Sequence, residues 1–304
     1  MDRWTDWAGT TSRNAFFYNT LDNLKQITGQ PPQIRIGANS EDHTNFKKHV
    51  QFAQAIFPPS TPVVPYPEAT NITVGDSYYA TTRFLPPKTH VIWGVNLGSN
   101  NITAAVLETR SIVKAFSSPD IRAAGIVLDY LEIGNEPDLN PYFFFFKGAP
   151  GVSNTAGAAL WTLDYALFAS QLKISTVFFH AGIGFKYSLI QPITLTRSTL
   201  DGSNLPSPVP AHVQPQYYAA IIAAEAIGKT GNVQALELQI DHPQIAGYAF
   251  YEGKALVRAV FINSKAYLPE STTRTSVHLD LRFTANAARH VAPTWVKVKR
   301  LVIQ

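Results

Sequence analysis

The sequence of 304 residues contains no cysteine and a single methionine, and only 15% of its residues are charged. The absence of cysteine excludes disulfide bonds, a thiolate nucleophile and a cysteine-ligated zinc site. No uncharged apolar stretch reaches the roughly 18 residues that a membrane-spanning helix needs, which argues against an integral membrane protein. The hydrophobic fraction of 45% is ordinary for a globular protein, so disorder over the whole length is excluded.

Clusters of basic residues are also scarce. The net charge is only +4, and the densest basic group is Lys297, Lys299 and Arg300. Its alternating spacing is that of a solvated strand face, so the sequence predicts no nucleic-acid partner.

The two ends lack the usual boundary signals. The start has neither the apolar central region nor the small-residue cleavage site of a signal peptide. The last residues, 296–304, alternate like a half-buried strand and then stop without a turn. Both ends are therefore expected to cut through structure. Two Asn-X-Thr triplets, at Asn71 and Asn101, are N-glycosylation acceptors and favour a secreted history.

The first two-thirds of the chain alternate between helical and strand patterns. Near-continuous apolar strands separated by helices indicate a parallel sheet covered by helices, and hence an α/β fold. The pattern predicts helices at 16–27, 102–116 and 155–172, a partial helix within 41–60, and strands at 33–37, 89–97, 126–134 and 175–180.

The character of the sequence changes after about residue 190. A linker rich in turn formers occupies 201–210, and a helix is predicted at 216–227. Short alternating segments follow, as expected for an antiparallel β-sandwich-like domain; they lie at 233–240, 246–251, 255–263, 276–283 and 294–303. The predicted domains are therefore 1–200 and 201–304.

The strongest functional signal is the segment Leu131–Asp138, LEIGNEPD, at the end of the third predicted strand. In α/β sheets and barrels the reacting groups lie at the carboxyl ends of the strands. There, Asn135 can hydrogen-bond a sugar hydroxyl, and a partly buried Glu136 can act as a general acid with a raised pKa. The alternative is a simple turn that carries a solvated glutamate.

Two other strand ends carry polar or small residues. The segment Arg35–Ser40 ends in Asn39 and Ser40, and the segment Phe179–Tyr187 carries His180 and two glycines. Each alone is typical of an ordinary turn or a satisfied core histidine. Three polar strand ends in one sheet instead favour a binding site at a shared edge.

Four segments together resemble glycoside hydrolase family 79, which contains fungal-type β-glucuronidases. They are Ile34–His43, Leu131–Leu139, Gly148–Tyr165 and Val177–Gly182. The resemblance covers nearly the whole chain, and its tail resembles the family's C-terminal β-domain. It implies a (β/α)8 TIM-type barrel followed by a β-sandwich, and retaining hydrolysis of β-linked glucuronosyl groups.

The resemblance also assigns roles. Glu136 matches the family's acid/base, Asn39 and Ser40 match its sugar-contacting loop, and Asn135 precedes the acid/base as in the family. His180, Gly182 and Tyr187 match the region near the carboxylate of the substrate. The partners implied are glucuronic-acid-containing glycans or glycosides, outside the cell. Neither a metal nor an organic cofactor is implied, because the two-carboxylate mechanism needs neither.

The sequence departs from the family pattern where the nucleophile belongs. The residues before Gly148, at 142–147, include four consecutive phenylalanines and no carboxylate; they are either an extra core strand or a junction between segments that were not originally adjacent. The short interval between Leu139 and Gly148 cannot hold the missing strand–helix units, which take roughly 30 residues each. About four barrel strands are therefore expected where closure needs eight.

No other carboxylate matches the missing nucleophile. Glu41, Asp42, Glu132 and Asp164 remain, and Glu132 is a substitute candidate because it lies four residues before Glu136. We therefore expect a truncated, internally deleted family member with impaired hydrolysis. The alternatives are a non-catalytic carbohydrate-binding or structural remnant, and an inverting enzyme that uses another base.

Overall fold

The computed structural model describes residues 2–135, 148, 151–172, 174–265, 276–281 and 295–301. The chain divides into two compact units, Met1–Ser264 and Lys265–Gln304. The described residues of the second unit contain no helix or strand. None of the described helices is long and apolar enough to cross a membrane.

The first unit combines helices with short strands. Its α-helices are α1 Trp4–Ala8, α2 Ala15–Thr28, α3 Asp76–Ala80, α4 Ile102–Phe116, α5 Pro119–Ala123, α6 Ala156–Gln171 and α7 Pro215–Ile227. Its strands are β1 Ile34–Ile36, β2 Thr44–Phe46, β3 Ala53–Ile56, β4 Asn71–Val74, β5 His90–Val95, β6 Val127–Ile133, β7 Ile190–Gln191, β8 Leu195–Arg197, β9 Asn204–Val209, β10 His212–Val213, β11 Val233–Glu237, β12 Ile245–Glu252 and β13 Ala255–Asn263.

The parallel sheet predicted from the sequence is present and has the order β1–β5–β6. Ile34 pairs with Val91, and Trp93 in turn pairs with Leu131, so all three carboxyl ends lie at one edge. Helices α4 and α5 form the crossover from β5 to β6, which confirms the α/β class. Among the described residues this sheet has three strands and does not close into a barrel.

The main core forms around Trp93, whose side chain is fully buried on β5. The ring centroids of Trp4 and Tyr79 lie 5.7 and 5.2 Å from that of Trp93. Aromatic pairs at this spacing contribute about 0.5–1.5 kcal/mol each beyond their buried area. The N-terminal helix α1 is therefore fixed directly onto the parallel sheet.

A second core joins α6 and α7 to the antiparallel sheet β11–β12–β13. Leu163 and Leu167 lie on the face of α6 that packs into this core, together with Phe250 and Ile262 from the sheet. The hydroxyl of Tyr248 donates to Asp164 Oδ1 at 2.7 Å, which gives this buried phenol a partner.

Three predictions of local structure are wrong in whole or in part. Within residues 41–60 only the end of a short 3-10 helix, Asn39–His43, is helical, because β4 supplies a distant partner that pairs with both β2 and β3. Residues 175–180 are not in a strand, since no neighbouring strand pairs with them in the described part of the chain. The linker at 201–210 contains β9, which pairs with β8 and tolerates its prolines because it is an exposed edge strand.

Two strands predicted near the end are not observed either. Residues 276–281 and 295–301 carry no strand, and the rest of both predicted segments lies outside the described residues. Alternation of apolar and polar residues is not sufficient to form a strand, because a neighbouring strand must also supply hydrogen-bond partners. The β-sandwich and the domain boundary at residue 200 stay predictions.

Candidate functional site

A polar network occupies the carboxyl edge of the parallel sheet. Arg35 on β1 holds Glu132 on β6 with two hydrogen bonds, from Nε to Oε2 at 2.5 Å and from Nη2 to Oε1 at 2.9 Å. The two side chains are 23% and 31% exposed, so water reaches this ion pair. The bidentate geometry fixes the relative positions of the two outer strands.

Asn135 is tied to the same network on three sides. Its Oδ1 accepts a hydrogen bond from Arg35 Nη2 at 2.9 Å, and its Nδ2 donates to Asn39 Oδ1 at 2.9 Å. Its backbone N–H donates to Asp42 Oδ2 at 3.3 Å. The residue that precedes Glu136 in the chain is therefore held rigidly over the end of β1.

Asp42 joins the loops that follow all three strands. Besides Asn135, its carboxylate accepts the backbone N–H groups of Leu97 and Gly98, at 3.1 and 2.9 Å. This loop carboxylate thus satisfies backbone donors that would otherwise need water or ligand.

Glu41 lies beneath this network and is fully buried. Burial raises its pKa to about 8, and the negative charge of Glu132 adds to the shift, while Arg35 opposes it. Neither carboxyl oxygen has a hydrogen-bond partner among the described residues. A Cβ atom at Gly94 would lie 1.9 Å from Glu41 Oε2, so this glycine makes room for the carboxyl group.

A cavity of about 370 Å³ opens beside the network. It runs between β1 and segment 177–183 and is backed by α1, α2 and α7. Its lining includes five of the residues proposed from the sequence to contact a sugar, namely Asn39, Ser40, His180, Gly182 and Tyr187. Asn135 is not part of the lining and reaches the cavity through its hydrogen bond to Asn39.

These lining residues differ in what they can offer a ligand. His180 is exposed, and its ring centroid lies 6.4 Å from that of Tyr187. Burial, with a contribution from Glu68, raises the pKa of Tyr187 to about 12, so its phenol stays a neutral donor. Ser40 is buried, and its Oγ already accepts the backbone N–H of Asp2 at 3.1 Å.

Gly182 has a packing role as well as a place in the lining. A Cβ atom there would lie 2.7 Å from the ring of Phe185. Its N–H donates to Ser188 Oγ at 3.0 Å. Glycine therefore allows the turn between segment 177–183 and Tyr187 to close.

Several predicted features lie outside the described residues. They are Glu136, predicted to be the acid/base, and the phenylalanine run at 143–146.

The predicted glycosylation acceptors lie on the surface: Asn71 is exposed at the start of β4, and Asn101 is exposed while its side chain caps α4. Among the described residues, no cluster of three or more His, Asp or Glu could hold a metal ion.

The sequence carries a signal for an ion pair at Arg35. Arg35 is the charged residue of β1, whereas β6 carries two carboxylates, Asp129 and Glu132. Charges within a strand are rare unless they are paired, so opposite charges on strands of one sheet favour an ion pair but do not identify which carboxylate takes part.

Comparisons with known proteins agree on one group. The family described as the glycosyl hydrolase family 79 C-terminal beta domain matches residues 247–304. A β-glucuronidase from Aspergillus niger is 30% identical over 139 residues, which are 46% of this chain and 24% of that protein. A β-glucuronidase from Neurospora crassa is 27% identical over 180 residues, which are 52% of this chain and 30% of that protein.

The structural comparison extends over more of the chain. The crystal structure of a 4-O-α-L-rhamnosyl-β-D-glucuronidase from Fusarium oxysporum 12S, in complex with Rha-GlcA, superposes with a TM-score of 0.62. It covers 88% of this chain and 76% of that chain at 18% identity, which establishes a shared fold. The chain matches only about a quarter to a third of the length of the two curated relatives.

Proposed function

Because this chain belongs to glycoside hydrolase family 79, we propose that it binds β-linked glucuronosyl groups at the carboxyl edge of its parallel sheet. The observation that carries the proposal is the fixation of Asn135 by Arg35 and Asn39, directly before Glu136 in the chain. The adjoining cavity supplies His180 and Tyr187 as side-chain donors for hydroxyl and carboxylate oxygens.

The proposed ligand fits the chemistry of the edge. A glucuronosyl ring carries several hydroxyls and one carboxylate, and it needs donors and acceptors on a rigid frame. Asn39 supplies an amide whose orientation is set by its bond to Asn135. Tyr187 stays protonated far above neutral pH, so its phenol can donate a hydrogen bond to an anionic ligand.

We further propose that retaining hydrolysis is impaired. Retention needs an ionised nucleophile about 5–5.5 Å from the acid/base carboxyl, the role proposed for Glu136. Both oxygens of Glu132 are engaged by Arg35, so attack by Glu132 would break this ion pair. Glu41 is protonated at neutral pH because its pKa is about 8, and a neutral carboxylic acid is a poor nucleophile.

The second candidate is a carbohydrate-binding protein without catalytic activity. The engagement of Glu132 and the neutrality of Glu41 favour it, because neither carboxyl group is then a free anion that can attack a sugar, whereas the sugar-contacting edge is intact. Under both proposals the partner is a glucuronic-acid-containing glycan or glycoside outside the cell, and Asn71 and Asn101 carry N-glycans.

The experiment measures binding and turnover separately. Purified protein is titrated with glucuronic acid by calorimetry and is assayed on an aryl β-glucuronide beside a Glu136→Gln variant. We expect saturable binding, at least tenfold weaker in Asn39→Ala because a fixed polar contact is lost, and turnover no higher than that of Glu136→Gln.

The matched control is Asn204→Ala, which changes an exposed asparagine at the start of β9. Equal loss of binding in both asparagine variants would contradict the assigned site. Turnover well above that of Glu136→Gln would contradict impaired hydrolysis, and the absence of any glucuronic-acid binding would contradict the proposed ligand.

A further inference from the structure

Helix α6 is apolar on two opposite faces. On one face, Ala159, Leu163 and Leu167 are buried against α7 and the antiparallel sheet. On the other face, a row of large apolar residues is exposed to solvent. We call this row the α6 stripe; its members are Trp161, Tyr165, Phe168 and Leu172. A surface helix normally exposes a polar face, so a helix that is apolar on both sides indicates a further packing partner.

The exposed area of the α6 stripe is large for a monomer. Trp161, Tyr165, Phe168 and Leu172 are 60, 50, 44 and 60% exposed. An aromatic side chain covers about 150–250 Å², so the three rings together expose about 300 Å². Apolar patches of about 300–600 Å² are the largest on typical monomers and are often functional.

Neighbouring rings hold the centre of the α6 stripe in place. The rings of Trp161 and Tyr165 stack, with centroids 5.2 Å apart and an interplanar angle of 28°. The ring of Phe179 lies 6.1 Å from that of Tyr165. The α6 stripe itself carries no charge, because the charged residue of α6 is Asp164, which accepts the hydroxyl of Tyr248. No charged side chain within the stripe therefore opposes contact with another apolar surface.

The spacing of the α6 stripe is the same in both directions of the helix. Steps of four, three and four residues lead from Trp161 to Leu172 through Tyr165 and Phe168. Such steps place side chains along one seam between two helices. A second, antiparallel copy of α6 therefore matches the stripe in register, with Trp161 opposite Leu172 of the other copy and Tyr165 opposite Phe168. A contact of this kind, between identical surfaces, closes after two subunits.

We propose that the α6 stripe is the interface of a homodimer in which two copies of α6 pack antiparallel. The proposal rests on α6 and is independent of the glucuronosyl site. Two copies would bury about 600 Å² of ring surface, and Leu172 and the atoms beside the stripe must supply the remainder of the roughly 1,200 Å² that the smallest specific interfaces bury. We therefore expect a weak dimer, with a Kd in the micromolar range.

The experiment measures the oligomeric state of the full chain by analytical ultracentrifugation over a dilution series that spans the micromolar range. We expect the unaltered protein to pass from dimer to monomer on dilution. Tyr165→Lys should weaken self-association at least about tenfold, because it buries an ammonium group against Phe168 of the other copy. Tyr165→Phe keeps the ring and should keep the dimer.

Two controls locate the interface. Tyr130→Lys makes the same change at a residue of β6 that is 68% exposed and outside the α6 stripe, and it should keep the dimer. Circular dichroism of Tyr165→Lys should match that of the unaltered protein, because Tyr165 is half exposed. Trp161→Lys replaces Tyr165→Lys if the latter is unfolded.

The absence of cysteine from the sequence permits a test of helix orientation. An antiparallel pair brings the two copies of Phe168 within one helical turn of each other, whereas it separates the two copies of Leu172 by about 17 Å at a rise of about 1.5 Å per residue. Phe168→Cys should therefore form a disulfide-linked dimer under mild oxidation, and Leu172→Cys should not.

Three results would overturn the proposal. They are a monomer at every concentration, a dimer that a folded Tyr165→Lys variant retains at full strength, and cross-linking through Leu172→Cys but not through Phe168→Cys. A dimer that is lost in Tyr130→Lys and kept in Tyr165→Lys would instead place the interface on β6.

Discussion

The buried carboxyl group of Glu41 should make the protein less stable as the pH rises from 5 to 7. Glu41 is fully buried, and its carboxyl oxygens lack hydrogen-bond partners among the described residues. Its pKa is about 8 in the folded chain, against 4.5 when exposed. The folded state therefore binds a proton that the unfolded state releases, and stability falls between these two values.

The size of the effect follows from the two pKa values. The stabilisation due to this proton is fully present below pH 4.5 and is lost as the pH rises through 8. Integration between pH 5 and 7 gives a loss of about 2.5 kcal/mol in the free energy of unfolding. Glu108 is also fully buried with a pKa of about 8, again mainly because of burial, and it should contribute a similar loss.

The assay is urea unfolding at pH 5, 6 and 7 for the unaltered protein and for Glu41→Gln, Glu108→Gln and the double variant. Each single substitution should remove about half of the pH dependence, and the double variant should be nearly flat over this range. Asp76 and Asp120 leave this window unaffected, because hydrogen bonds from neighbouring side chains lower the pKa values of both carboxyl groups.

The test compares the slope of the free energy of unfolding against pH, because the glutamine amide of a variant does not titrate and changes the stability equally at every pH. Asp241→Asn alters an exposed carboxylate and should keep the slope of the unaltered protein. The reasoning is refuted if Glu41→Gln keeps that slope as well, or if the unaltered protein becomes more stable from pH 5 to 7.

Two further predictions concern stability. Ala38 has a backbone φ of 87° and ψ of 176°, a conformation that favours glycine. Ala38→Gly should therefore raise the free energy of unfolding in urea by about 1 kcal/mol, and a lower free energy of unfolding would contradict backbone strain at this turn. Asn14 caps α2 by accepting the N–H of Phe17, and its side-chain amide donates to the carbonyls of Asp6 and Pro192, so Asn14→Ala should lower the free energy of unfolding by about 2–3 kcal/mol. Asn14→Asp keeps the cap but loses both donated bonds, so its stability should lie between that of the unaltered protein and that of Asn14→Ala. Equal stability of the unaltered protein and both variants would refute both roles of Asn14.

The local elements that the sequence predicted well are those with strong periodicity and clear end signals. The predicted helix at 102–116 matches α4 residue for residue, because Asn101 accepts the N–H of Ala104 and ends the preceding loop. The predicted strand at 255–263 matches β13. Both patterns depend on neighbours within a few residues, which the sequence displays directly.

The meeting of the polar strand ends can also be predicted from sequence, because parallel strands bring their carboxyl ends to one edge. The sequence predicts Asn39 and Asn135 as separate sugar contacts, and the fold joins them by a hydrogen bond across 96 residues of chain. Ser40 is predicted for the same role, yet its hydroxyl accepts the N–H of Asp2, a partner that no local pattern indicates.

The sequence by itself determined the α/β class, the parallel strands with their polar ends, and the family resemblance, because apolar periodicity and short motifs are local properties. Only the tertiary structure decided that Arg35 engages both oxygens of Glu132, that residues 44–74 form a small sheet, and that segment 177–183 borders a cavity. Ion pairs, strand ladders and cavities each require a partner from a distant part of the chain, and the free energy of that pairing overrides local propensity.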